Sequence, residues 1–100
     1  MVCNAQRDES KLTITLKGIL DTSSVPDLEK EIDLTDIKEL DFILDELQSI
    51  SSSGIRILLY CQQVMNGQGN MKIFHPTELV YEVFELTGLD EIFNIEKQDR

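Results

Sequence analysis

The sequence predicts one α/β domain over residues 1–100, a mixed sheet of about five strands with helices packed on it. Three observations predict it. Leu12, Ile14 and Leu16 alternate with Thr13, Thr15 and Lys17, the period-two pattern of a strand with one buried face. Leu79, Val80, Val83, Phe84 and Leu86 recur at three and four, the pattern of a helix with one buried stripe. Segments of the two kinds alternate in the order β-β-α-β-α-β-α-β, which implies parallel pairing through right-handed crossovers and an antiparallel hairpin at one edge.

Taken in order, residues Met1 to about Arg7 read as a short edge strand, with Arg7, Asp8, Glu9 and Ser10 as the turn. The strand through Leu16 is interrupted by Gly18 and ended by Asp21-Thr22-Ser23-Ser24. Ser24 with Asp27 reads as a capping box, and Pro26 suits the first turn, where its missing N–H costs little. That helix, with Val25, Leu28 and Ile32 on one face, is expected to end near Asp33 to Asp36. Ile37 to Leu44 has the apolar content of a central strand, and Leu47 and Ile50 carry apolar contacts through a loop to the serines. From Ile55 to about Asn66 the chain is apolar almost all round, so this helix is expected to be largely buried. Asn66-Gly67-Gln68-Gly69-Asn70 ends it. Met71, Ile73 and Phe74 form a short strand stopped by His75-Pro76. Gly88 reads as the left-handed residue closing the next helix, with Leu89 making the hydrophobic contact that accompanies it. Ile92, Phe93 and Ile95 give the last strand, followed by a polar tail from about Glu96.

Composition narrows the function. The formal charge is −10, from 19 acidic and 9 basic residues. That disfavours nucleic acid, whose phosphates need clustered lysine and arginine, and an anionic membrane surface. No apolar run approaches the length of a membrane span, and the N-terminus has no signal-peptide pattern, so a cytoplasmic location is expected. The two cysteines, Cys3 and Cys61, fit no zinc or redox spacing and are expected to be reduced, structural thiols. No glycine-rich phosphate cradle, metal cluster or convergent acid–base pair is visible, so neither an enzyme nor a bound cofactor is expected. His75 is the only histidine and reads as a turn residue beside Pro76.

The stretch with most chemical content is Ser49-Ile50-Ser51-Ser52-Ser53-Gly54-Ile55-Arg56. It runs into a helix, so a serine here caps free backbone N–H groups, and a phosphate here would sit at the positive end of the helix dipole. On residue mechanics alone, capping is the simpler reading. In parallel sheets, sites gather in the loops beyond the carboxyl ends of the strands. The Asp21–Ser24 loop and the Ser49–Gly54 loop are both of that kind and are expected to be neighbours.

Four pieces of the chain resemble the STAS domain family, of the anti-sigma factor antagonist type. They are Leu16-Lys17-Gly18-Ile19-Leu20-Asp21, then Ile50 through Leu59, then Gly69-Asn70-Met71-Lys72-Ile73, and Val83-Phe84-Glu85-Leu86-Thr87-Gly88-Leu89. The second is similar to the family's Asp-Ser-Ser-Gly-Leu phosphorylation loop. The resemblance implies a STAS-like fold and a phosphorylation-controlled partner switch. The unphosphorylated form would bind an ATP-using serine-kinase anti-sigma factor, phosphorylation would release it, and a phosphatase would reset it. Ser53 falls on the family's phosphoacceptor, with Ser52 as second choice. Asp21 matches an aspartate at the partner-binding edge, to which Ser51, Ser52, Gly54 and Arg56 are also assigned. Two positions depart from the pattern: Ser51 stands where the family has an aspartate, and Ile43, with Asp45 two residues beyond, stands near the family's late-strand acid. The alternative reading is a non-phosphorylated structural STAS subunit of a larger signalling or lipid-transport complex.

Overall fold

The computed structural model describes residues 1–97. The chain runs β1 (Val2–Asp8), β2 (Lys11–Leu20), α1 (Val25–Glu29), β3 (Glu39–Ile50), α2 (Ser52–Asn66), β4 (Asn70–Phe74), α3 (Glu78–Leu86), a 3-10 turn (Leu89–Glu91) and β5 (Asn94–Glu96). The five strands lie in sequence order, β1 antiparallel to β2 and every later pair parallel. This is the α/β class and mixed sheet that the sequence predicts. Of the expected polar tail, Glu96 closes β5 and Lys97 comes next, while residues 98–100 lie outside the described part.

The sheet buries one face. Leu12, Ile14 and Leu16 of β2 join Leu40, Phe42 and Leu44 of β3 and Met71 and Ile73 of β4 in one cluster with Leu28, Leu58, Cys61, Met65, Val80 and Phe84 of the helices. Their alternating neighbours Thr13, Ile43 and Phe74 stay half-buried on the opposite face. Burial pushes the Cys61 thiol up to about 12, so it stays protonated and acts as a small apolar side chain.

Several boundaries differ from the sequence reading. The turn between β1 and β2 is tighter than expected: β1 runs on to Asp8 and β2 starts at Lys11, so only Glu9 and Ser10 make it, with Glu9 in the left-handed region at φ 54°. α1 stops at Glu29, not near Asp33 to Asp36. Beyond it the chain is pinned from outside: the Arg7 guanidinium donates to the carbonyls of Asp33 (3.3 Å) and Thr35 (2.7 Å). Ile32 and Leu34 still pack on the core, so their apolar spacing reports burial without a helix.

The expected loop at Leu47 to Ile50 is strand. The pairing of β2 with β3 slips between Thr15 and Lys17 and again between Gly18 and Ile19, each time placing an extra residue in β3. Each bulge shifts the alternation by one. Buried positions therefore fall at Leu44, Leu47 and Ile50, every third residue, which hides the strand from a period-two reading. Gly18, expected to interrupt β2, sits at the bulges with φ 97°, a conformation open to glycine. Gly88 closes α3 in the left-handed region (φ 76°) with Leu89 buried behind it, as expected. The last strand is shorter than expected: Phe93 precedes it and packs edge-on against Phe84, ring centres 5.4 Å apart.

Candidate functional site

The carboxyl ends of β2 and β3 lie side by side, Leu20 paired with Ile50, so the loops leaving them meet at one edge of the sheet. The Ser51 N–H donates to the Leu20 carbonyl at 2.9 Å and joins the two turns by backbone. Their side chains meet as well: Thr22 Oγ1 and Ser53 Oγ are 2.8 Å apart, one hydroxyl donating to the other.

The three serines divide their roles by position in the first turn of α2. Ser51 is the N-cap, and its hydroxyl accepts from the Gly54 N–H at 3.4 Å. A short acceptor is what an N-cap requires, so serine fills the place where the resembling family has aspartate. Ser52 is exposed and Ser53 half-buried. Gly54 is buried, and a Cβ there would stand 2.8 Å from both Ile50 Cγ1 and Leu20 Cγ. The absent side chain lets α2 start directly against the sheet, which holds Ser53 close to the Asp21 turn.

Asp21 organises that turn. Its Oδ1 accepts from the Ser23 N–H (3.0 Å), the Ser23 hydroxyl (2.7 Å) and the Ser24 N–H (3.1 Å). The Ser23 hydroxyl leads in holding the Asp21 carboxyl below the usual carboxylate range. Ser24 does not form the expected capping box. Its buried hydroxyl turns back, accepting from the Asp21 N–H at 2.8 Å and donating to the Ile19 carbonyl at 3.0 Å, so it ties the turn to β2. A carboxylate with a lowered folded pKa stabilises the fold above the unfolded value, and that contribution is lost as pH falls through the folded one. Asp21→Asn is therefore expected to melt below the parent at pH 7. The gap should close as pH drops below about 4, which thermal melts across that range would read.

Beside the hydroxyl pair an open, mostly apolar groove of about 400 Å³ runs between α1 and α2. Val25, Pro26 and Glu29 form one wall, and Ser53, Arg56 and Tyr60 the other. Of the site residues drawn from the sequence, Ser53 and Arg56 line the groove, while Asp21, Ser51, Ser52 and Gly54 lie in the two adjoining turns and not in its walls. Thr22, the direct partner of Ser53, escaped the sequence reading of site residues; Tyr60 stands exposed on the groove wall. Strand adjacency is the signal that finds Thr22. On the same edge, His75 occupies a turn with φ 55°, its Nδ1 3.1 Å from Asp45 Oδ2. No group of three or more metal-binding side chains occurs among the described residues, and no described helix is long and apolar enough to cross a membrane.

Comparison with known proteins covers the whole of this arrangement. The family model of the STAS domain matches residues 3–98. The anti-sigma-B factor antagonists of Listeria monocytogenes and Listeria innocua are each 23% identical over 94 residues, which span 90% of this chain and 82% of theirs. Among solved structures, the anti-sigma factor antagonist SpoIIAA in its unphosphorylated form superposes with a TM-score of 0.81 at 19% identity, covering 97% of this chain and 90% of that one. An anti-sigma factor antagonist from Mycobacterium paratuberculosis gives 0.85 at 17% identity, over 97% and 86%.

Proposed function

The chain belongs to the STAS domain family, and from that premise we propose that it is an anti-sigma factor antagonist working as a phosphorylation-controlled partner switch. Unphosphorylated, it binds a serine-kinase anti-sigma factor through the edge built from Asp21, Ser51, Ser52, Gly54 and Arg56. Phosphorylation of Ser53 by that kinase releases the partner, and a phosphatase restores the free hydroxyl. The chain contributes a surface and a phosphoacceptor, and catalyses nothing itself.

The observation that carries this reading is the 2.8 Å contact between Thr22 and Ser53 beside an open apolar groove. It sets one serine hydroxyl where two loops and a groove meet, accessible to a kinase and central to any partner seated there. A phosphate adds roughly −1.5 to −2 charge at pH 7. Ser53 lies in the first turn of α2, where the helix dipole favours that charge by about 0.3–1 kcal/mol. Arg56 is one turn further on the same wall. The phosphate is thus tolerated by the fold and acts on the interface, where it must be desolvated and meets any acidic partner group with repulsion. The name of the Listeria relatives supports the same class of partner.

The test is incubation with the cognate kinase and ATP, read by intact mass. The chain is expected to gain one phosphate, Ser52→Ala to gain it as well, and Ser53→Ala to gain none. A parent chain that stays unmodified, or a Ser53→Ala chain that is modified equally, contradicts the reading.

A further inference from the structure

Arg56 is a cation without a partner on the same groove wall as the Ser53 hydroxyl. The chain holds 19 acidic residues against 9 basic ones, so its bases have many acids to choose from. Lys11 pairs with Asp41 at 3.3 Å and Lys17 with Glu46 at 3.0 Å. The Lys97 ammonium lies 4.0 Å over the Tyr81 ring, and Arg7 is bound to two carbonyls. Arg56 makes no ion pair or hydrogen bond among the described residues. Glu29, on the facing wall of the groove, is not within ion-pair distance of it.

Its place in α2 aims it. Long helical side chains lean back toward the N-terminus, over the residues three and four before them. For Arg56 these are Ser53 and Ser52, and of the two only Ser53 lines the groove with it. Thr22 Oγ1, 2.8 Å from Ser53 Oγ, holds that oxygen from the other side. Transfer of a phosphoryl group from ATP to Ser53 Oγ yields ADP and releases the hydroxyl proton. The ester oxygen that remains has no hydrogen to give, so the Thr22 hydroxyl becomes the donor of the pair. A guanidinium presents a planar fork of N–H donors that matches two oxygens of a phosphate.

Resting on the proposed phosphorylation of Ser53, we propose that Arg56 is the receptor of that phosphate within the same chain. With residue 53 unmodified, the guanidinium is free and offered to a partner. With residue 53 phosphorylated, it closes on the phosphate and is withdrawn. Release then has two parts, an anion gained by the surface and a cation lost from it.

The test needs neither kinase nor partner. Phosphoserine is placed at residue 53 of the full chain by genetic encoding, and its second ionisation is followed by phosphorus NMR at low salt. That ionisation falls at about pH 6 in an unpaired phosphoserine. A cation beside it favours the doubly charged form and lowers the midpoint. Arg56→Gln is therefore expected to titrate about 0.5 pH unit above the parent, with Arg56→Lys between them because the charge stays and the fork is lost. Glu29 on the facing wall and Asp21 in the adjoining turn oppose the second ionisation alike in all three chains, so the difference reports Arg56. Added salt at about 1 M is expected to shrink it. Equal midpoints for the parent and Arg56→Gln overturn the proposal, as does an Arg56→Lys chain that titrates with Arg56→Gln. Failure of the switch itself would look different: a kinase that leaves the chain unmodified while the encoded phosphoserine still titrates low.

Discussion

Gly69→Ala is expected to cost more stability than any other single added methyl in this chain. A Cβ at residue 69 would lie 2.0 Å from the Lys38 carbonyl oxygen, 2.7 Å from its carbon and 2.8 Å from its Cα. These are backbone atoms, and they cannot step aside as a side chain does. The Lys38 carbonyl accepts from the Asn70 N–H at 2.9 Å, and the Lys38 N–H donates to the Ser10 carbonyl at 2.7 Å, so this point is where β2, β3 and β4 are tied together at their starts. Relieving the overlap means moving β4 away from β3 or breaking the 2.7 Å bond from the Gly69 N–H to Met65 that closes α2. A loss of about 3–5 kcal/mol is expected, in the exceptional range for point substitutions and a large share of the stability of a small domain. Urea unfolding reads it as a lower midpoint at unchanged slope. A loss under about 0.5 kcal/mol would mean that the two backbones are not in contact.

Ser53→Glu is expected to weaken binding of the anti-sigma factor by about tenfold or more while leaving the melting temperature nearly unchanged. The carboxylate brings charge into a groove whose walls are mostly apolar, and it breaks the hydroxyl pair with Thr22. Its cost falls on the interface because residue 53 is half-exposed in the first turn of α2, where an acid suits the helix dipole. Ser52→Glu adds the same charge one residue away, outside the groove, and should change affinity less. Calorimetric titration of the three chains with one partner, alongside melting curves, separates an interfacial effect from unfolding.

The contrast between these serines marks how far the sequence alone could be read. Period two in β2 and the three-and-four spacing of α3 were legible because each buries a single face. The neighbourhood of Asp21 and Ser53 was legible too, since alternating strands and helices send both loops to one sheet edge. The far half of β3 was not, because two bulges convert its alternation into a spacing of three. The end of α1 was hidden for a different reason: Arg7, distant in sequence, holds the Asp33 and Thr35 carbonyls outside any helix. Ser24 misled because its hydroxyl finds partners behind it, at Ile19 and Asp21, before it can cap the first turn of α1. Within the serine run, the groove that includes Ser53 and leaves Ser52 outside depends on where α1 stands, which only the assembled fold reveals.

The proposed switch turns on one group, the Ser53 hydroxyl at the junction of two loops. The most direct measurement compares the affinity of the anti-sigma factor for the chain before and after enzymatic phosphorylation, with the phosphate located by peptide mapping. The phosphate is expected on Ser53 and the affinity of the modified chain at least about tenfold lower, the change of roughly 1.4 kcal/mol that one desolvated, repelled anion supplies with ease. Equal affinity of the two forms, or a phosphate mapped to another residue, would contradict it.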